Sequence, residues 1–347
     1  MLRSDSPAMS ERSTTATSQG ERRVRPGSSQ TTLSHLRDRD QELVALGWKK
    51  GPARWLALVA LHGGLFLRSQ YAAFHGCSEA TARRFVARLI AGNWARQFPI
   101  ADERGGRSPL VCHLTARAIY RELDIEHTRY RRRTSEHNRW RRLLCFDYII
   151  EHPTLNWLAT QQDKVEYFQE TLGVDTVSLP RQAYTARDGT RTARYFPARL
   201  AIHTARHLVT FLYPCATGRD LIRWPYWVSS MDPLWAGIRA KGRAIHVVAL
   251  CRTDGQVRHM RRTLDGLRAP VELAANDRDR RQLTTLAAIR DPEHWHDFGN
   301  HGPLAEYLET VNRVRRAAFV LHGTVPPIIE AGSTYLARRL EPESITL

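Results

Sequence analysis

The side chains of this chain best placed for chemistry are cations set at helical spacing behind a helix cap. Ser78 has the side chain of an N-cap, and Ala82, Phe85, Val86, Leu89 and Ile90 follow at the spacing of one apolar helix face. Thr81, Arg84 and Arg88 then fall on the opposite face of a helix over 79–91, with Glu79, Ala80 and Arg83 near its leading end. Guanidinium groups presented this way suit phosphate oxygens or the acceptor edges of bases, and the sequence leaves that choice open. Arg104 and Arg107 flank Gly105-Gly106 in a polar link between two apolar runs, 94–100 and 109–114, which suits contact with backbone charge. Seven arginines lie between positions 129 and 142, against the single acid Glu136. Of these, Arg131, Arg132 and Arg133 follow Tyr130 and either extend a phosphate track or form a solvated linker between two domains.

The elements that must position these groups follow from local pattern. A short lead-in helix spans about 33–48. Pro52 suits the first turn of a helix to about Leu61, with Trp55, Leu56, Val59 and Ala60 inward, and Gly63-Gly64 closes it. A second helix covers 69–74, the capped third covers 79–91, and Gly92-Asn93 stops it. The two apolar runs around the glycine pair form a hairpin, and another helix starts after Thr115. Three helices then a hairpin is the order of a winged helix-turn-helix, whose third helix enters a major groove while the basic tip reaches the neighbouring backbone. The expected contacts on double-stranded DNA are therefore Ser78, Thr81, Arg83, Arg84, Arg88, Arg104, Arg107, Arg131, Arg132 and Arg133. A winged helix can also be a protein-interaction module, and a basic face can simply be solvated.

Composition agrees with an anionic partner. The 347 residues carry 52 Lys and Arg against 35 Asp and Glu, a formal +17, with only four lysines. An arginine bias of that kind is also what a GC-rich genome writes, so the excess over acids is the informative part. Residues 1–150 hold +12 of it, and 51–100 hold six arginines with the single acid Glu79. No run approaches the roughly 18 apolar residues of a membrane span. Residues 1–32 read as a disordered Ser/Thr/Arg tail without a secretory h-region. The five cysteines are widely spaced and form no CxxC pair, which argues against a disulfide framework or zinc finger and for a reducing cytoplasm.

Beyond about residue 134, helix and strand patterns alternate: a helix at 138–151, then 154–158, an amphipathic stretch at 163–172, strands at 194–203 and 207–213, a helix at 232–240, a strand at 244–251, a helix at 256–267 and a strand at 271–274. The fold class is α/β (α+β overall) with a mixed sheet. With the capped third helix, the strings HNRWRRLLCFDYII and YFPARLAIHTARHLVTFLYP resemble the replication-relaxation family of plasmid and integrative-element proteins. The resemblance covers roughly 50–265 and implies a restriction-endonuclease-like α/β domain behind the winged helix. Nucleases of that fold hold a divalent metal with a Pro-Asp at one strand end and an acidic-x-Lys in the next. Here those places read Pro197-Ala198 and Leu208–Tyr213, which carry no acid, and Asp220 and Asp232 lie outside both strands. The resemblance thus implies a nuclease-like scaffold without its catalytic set, kept for self-association or for sensing a small-molecule or protein effector.

Two further groups invite chemistry. Asp291, His294, His296, Asp297 and His301 could hold a metal, but the prolines and glycines among them point to a histidine-rich loop. Trp224, Tyr226, Trp227 and Trp235 could stack on bases, though such clusters more often pack a core. The expected organisation is a tail (1–32), a winged helix (33–133), an α/β domain (134–275) and a helical or loop extension (276–347). The expected function is a cytoplasmic, homodimeric, sequence-specific DNA-binding regulator of a bacterial mobile element, with no cofactor, no metal and no enzymatic activity. The rivals are a metal-dependent nuclease or relaxase accessory, and a scaffold in a replication or conjugation complex.

Overall fold

A computed structural model describes residues 36, 38–101, 108–128, 130–132, 134–185, 191–197, 200–268 and 329–340. The expected tail, the 271–274 strand and the 291–301 histidine segment lie outside these residues.

Helix α1 (Arg39–Ala45) leads into α2 (Lys50–His62), which carries Pro52 in its first turn. Only one stripe of α2 was expected inward, yet every residue from Trp55 to His62 is buried. An apolar helix without a polar face is stable only when covered all round, and α2 sits at the centre of the first core. The Gly63-Gly64 pair ends it in positive-φ conformations. A Cβ on Gly64 would stand 2.5 Å from the Tyr120 hydroxyl, so both space and φ demand glycine there.

Strand β1 (Leu65–Leu67) follows directly, then α3 (Arg68–His75), α4 (Glu79–Ala91), β2 (Ala95–Pro99) and β3 (Leu110–Leu114). The strands form an antiparallel sheet in the order β1-β3-β2. Pairing of Phe98 with Val111 and of Arg96 with His113 sets the β2–β3 hairpin. One face of this sheet packs on the helices, where Trp55 meets Phe66 at 5.3 Å. Helix α5 (Arg117–Glu122) closes the unit.

Helix α6 (Glu136–Glu151) begins at Ser135, whose hydroxyl accepts the Asn138 amide at 3.4 Å. A long mixed sheet follows: β4 (Asn156–Leu158), β7 (Ile202–Thr204), β8 (Leu208–Cys215), β9 (Ala244–Cys251) and β10 (Ala331–Leu336), in the order β10-β9-β8-β7-β4. Strands β8, β9 and β10 run parallel, whereas β7 and β4 are antiparallel to their neighbours. Alternation along the strands sorts the side chains into two layers. Val209, Phe211, Tyr213, Ile245, Val247 and Ala249 face α8 (Gly218–Ala240) and α9 (Asp254–Arg268), while Leu212, Val248 and Leu250 face α6.

Several sequence expectations change. The strand expected over 194–203 is two strands: β6 (Arg191–Tyr195) ends where Phe196 adopts φ 49 before Pro197, and β7 starts at Ile202. Strand β6 pairs with β5 (Arg181–Thr185) in a separate two-stranded ribbon. Helix α8 is far longer than the expected 232–240, running through Pro225 and Pro233. Each interior proline costs about 3 kcal/mol, but the buried face Trp224, Trp227, Val228, Met231, Leu234, Trp235 and Ile238 offsets that on the sheet. The expected C-terminal extension supplies β10, the edge strand of the main sheet. No helix among the described residues is long and apolar enough to cross a membrane.

Between α6 and the ribbon lie α7 (Gln161–Glu166) and its continuation as a π-helical turn, Tyr167–Thr171. The boundary expected near 134 is not a gap in packing. Residues of α1 to α6 and the α6-facing side of the main sheet belong to one continuous core, in which Trp55 meets Phe146 at 5.3 Å.

Candidate nucleic-acid interface

Helix α4 is built from its cap outward. The Ser78 hydroxyl accepts the Thr81 amide at 3.3 Å, and Glu79 in the first turn complements the helix dipole. Ala82, Phe85, Val86 and Leu89 are buried, and Phe85 stacks on Tyr71 of α3 at 4.2 Å. Ile90, expected on the same stripe, is 39% exposed. At about 100° per residue it lies roughly a quarter-turn beyond the stripe that Ala82, Phe85 and Leu89 define.

The outward face carries Arg83, Arg84 and Arg88, all exposed. Arg84 Nη2 donates to the Thr81 hydroxyl at 3.3 Å, and the Thr81 and Ser78 hydroxyls lie 3.1 Å apart. The Arg88 guanidinium lies 6.0 Å from the Phe85 ring centre, and Arg68 pairs with Glu79 at 3.2 Å. The helix therefore presents two hydroxyls with Arg84 and Arg88 along one solvent-facing strip, and Arg83 stands about 100° around the axis from Arg84. Neutral donors and fixed cations of this kind suit a polyanion.

Arg104, Arg107 and Arg133 lie outside the described residues. The base of the hairpin that carries the first two is clamped. The Ala101 amide donates to the Glu136 carboxylate at 3.3 Å, the Ala101 carbonyl accepts from Trp140 Nε1 at 3.0 Å, and Arg139 stacks 4.6 Å from the Phe98 ring centre. Arg131 is half-buried and Arg132 exposed, in a turn just after Tyr130. That turn is anchored: His113 Nε2 donates to the Tyr130 carbonyl at 2.8 Å, and Arg142 stacks 5.0 Å from the Tyr130 ring centre. Burial holds His113 below the usual imidazole range, with Arg142, Arg139 and Arg96 adding to the depression.

The connector arginines thus divide. Arg139 and Arg142 pack against aromatic rings, Arg142 also donates to the Gly63 carbonyl at 3.1 Å, and Arg141 Nε lies 3.6 Å from the buried Asp220 carboxylate. Only Arg131 and Arg132 of the described set remain toward solvent. Sequence spacing carried the signal, since Arg139 and Arg142 lie three apart on one face of α6, but the partner surface could not be read locally. Arg96, exposed on β2, is a further cation beside this surface that sequence reasoning passed over.

The other cluster of charge stands at the carboxyl ends of β8 and β9. Asp220 is buried at the start of α8, and its Oδ2 accepts the Ala216 and Thr217 amides at 2.9 and 3.1 Å. Its Oδ1 lies 3.3 Å from His137 Nε2 and 3.6 Å from Arg141 Nε. Burial keeps His137 below its ordinary range despite the neighbouring carboxylate, helped by Arg141, Arg223 and Arg219. Arg252, just after β9, stacks 3.6 Å above Trp140 and donates to the Ala216 carbonyl at 3.3 Å. Asp147 of α6 is a second buried hub. It accepts Gln70 Nε2 of α3 at 3.2 Å, the Tyr335 hydroxyl at 2.8 Å and Arg339 Nε at 3.1 Å.

These carboxylates are occupied by donors of the protein itself. Among the described residues no three His, Cys, Asp or Glu side chains stand together as a ligand set. Trp224, Trp227 and Trp235 are buried with Tyr213 and Phe211 as ring neighbours, whereas Tyr226 is exposed. Set against protein-family models, curated proteins and solved structures, the chain matches none.

Proposed function

We propose that this chain is a sequence-specific double-stranded-DNA-binding protein, acting as a transcriptional regulator of a bacterial mobile element. The observation that carries the reading is α4: a capped helix that buries one stripe and turns Thr81, Arg83, Arg84 and Arg88 outward. On this reading α2, α3, α4 and the β1-β3-β2 sheet are a winged helix. Helix α4 lies in the major groove, where Arg84 and Arg88 reach base edges, and the Ser78 end meets phosphate. Arg104 and Arg107, between β2 and β3 in sequence, and the run of Arg131, Arg132 and Arg133 meet the adjacent backbone.

The main sheet and its helices serve self-association or effector sensing, as a nuclease-like scaffold of the replication-relaxation type would without metal-holding carboxylates. A homodimer would set two copies of α4 about one DNA turn, about 34 Å, apart. Gel shifts across genomic fragments flanking the protein's own gene test the reading. One fragment should be retained at much lower protein concentration than the rest, and Arg84→Ala with Arg88→Ala should abolish that preference. Uniform weak binding, unchanged in the double variant, would defeat it.

A further inference from the structure

The turn after α5, helix α7 and the β5–β6 ribbon enclose a cavity of about 420 Å³, inside the usual range for small-molecule sites. Its described lining includes Lys164, Arg194, His127, Tyr130, Tyr184 and Phe196, and no acidic residue. The ribbon's register explains part of this: Tyr184 pairs with Thr192 and Gln182 with Arg194, so all four share one ribbon face.

Lys164 is the unusual member. It is 4% exposed, and its ammonium donates to the Leu200 carbonyl at 2.7 Å, which uses one of its three N–H groups. The adjacent Asp163 carboxylate is shared, since it also takes Arg39 at 3.1 Å and the Thr160 amide at 2.9 Å. The Phe196 ring centre lies 5.9 Å from the ammonium. Burial lowers the Lys164 pKa to about 8, with Cys145 and Asp163 opposing the shift. A buried cation whose nearest carboxylate is shared with an arginine has capacity for a further anion.

We propose that this cavity binds a small organic anion, with its carboxylate or phosphate held by Lys164 and Arg194 and a planar apolar body set against Tyr184, Tyr130 and Phe196. The site does not depend on the DNA-binding reading. It does have a route to the candidate interface, because the Tyr130 carbonyl bonds His113 of β3 and the ring carries Arg142.

The experiment is calorimetric titration of the full chain, without DNA, using phenyl phosphate, benzoate, inorganic phosphate and, as a neutral probe, benzyl alcohol. Phenyl phosphate or benzoate should bind saturably at one site, more tightly than inorganic phosphate, and benzyl alcohol should not bind. Lys164→Met and Arg194→Gln should each weaken binding about tenfold or more, equivalent to about 1.4 kcal/mol. Lys164→Met removes a buried charge rather than a packed group, and Arg194 lies on an outlying ribbon, so both variants should stay folded by circular dichroism. No saturable binding up to about 10 mM, a weak limit near 3 kcal/mol, would overturn the proposal. So would equal affinity for benzyl alcohol, or undiminished affinity in both variants.

Discussion

The outward face of α4 and the buried ends of the main sheet use the same side chain for opposite purposes. On α4, Arg83, Arg84 and Arg88 stand in solvent with at most a hydroxyl or ring of their own helix turn beside them. Around the sheet, Arg339 meets Asp147, Arg141 meets Asp220, and Arg252 lies on Trp140 and the Ala216 carbonyl. Exposed cations add little to stability but remain available to a partner. Internally satisfied cations have no capacity left for one, and removing an acid beside them leaves charge stranded. A basic composition therefore does not measure a binding surface. What matters is which guanidinium groups the fold leaves unsatisfied.

The largest effect should come from removing a buried shared acceptor. Asp147→Ala takes away the carboxylate that Gln70, Tyr335 and Arg339 share, while Arg339 keeps Glu151, and should cost about 3 kcal/mol in urea unfolding. Any surviving folded protein should bind DNA as the parent chain does. Equal damage to DNA binding would break the contrast between the regions.

Acid tests whether the two regions fail together. Burial lowers His75 of α3 and His203 of β7 to about 4, from an unfolded value of 6.5. The unfolded chain therefore holds more protons than the native one between pH 6.5 and 4. Their contribution is complete above pH 6.5 and is lost as pH falls through 4. His203, 7% exposed, accounts for roughly 3 kcal/mol of that loss. Because one core joins the N-terminal helices to the main sheet through α6, urea midpoints followed by tryptophan fluorescence and by circular dichroism should fall together between pH 7 and pH 4. Separate transitions would show two independent domains.

Arg84→Ala and Arg88→Ala sharpen the other side. Each should cost about 1–3 kcal/mol of specific DNA affinity in a gel shift, with unfolding midpoints almost unmoved. A matched Arg132→Ala should weaken all DNA sequences alike and shallow the salt dependence by about one charge. The smallest effect belongs to the cap: Ser78→Ala should lower stability by about 1 kcal/mol, read as a shift in the urea midpoint.

Much of the candidate site is legible along the chain because α4 is defined by near neighbours. Ser78, the spacing of Ala82, Phe85 and Leu89, and the stop at Gly92-Asn93 are all local signals. The same holds for the β2–β3 hairpin and for the apolar runs of β8 and β9. Features that depend on distant partners stay hidden. Strand β1 has three residues and exists because β3 lies beside it. Strand β10 becomes a strand by pairing with β9 across some eighty positions. The prolines of α8 read as stops until the buried tryptophan face is set against the sheet. The β5–β6 ribbon, largely polar, offers no apolar alternation to detect.

By itself the sequence determined the order of the N-terminal helices and hairpin, the mixed α/β character of the rest and the basic balance of the first 150 residues. These depend on turn chemistry, on periodicity over a few residues and on simple counts of charge. Tertiary structure decided how the arginines divide. Arg139, Arg141 and Arg142 stand among the same run as Arg131 and Arg132, yet packing of α6 against the small and the large sheet turns the first three inward. Tertiary structure also sets beside Lys164 a ribbon that follows it in sequence by some twenty residues. A cation's availability depends on its distance from acids, carbonyls and rings in space, and those distances are not written in its neighbours along the chain.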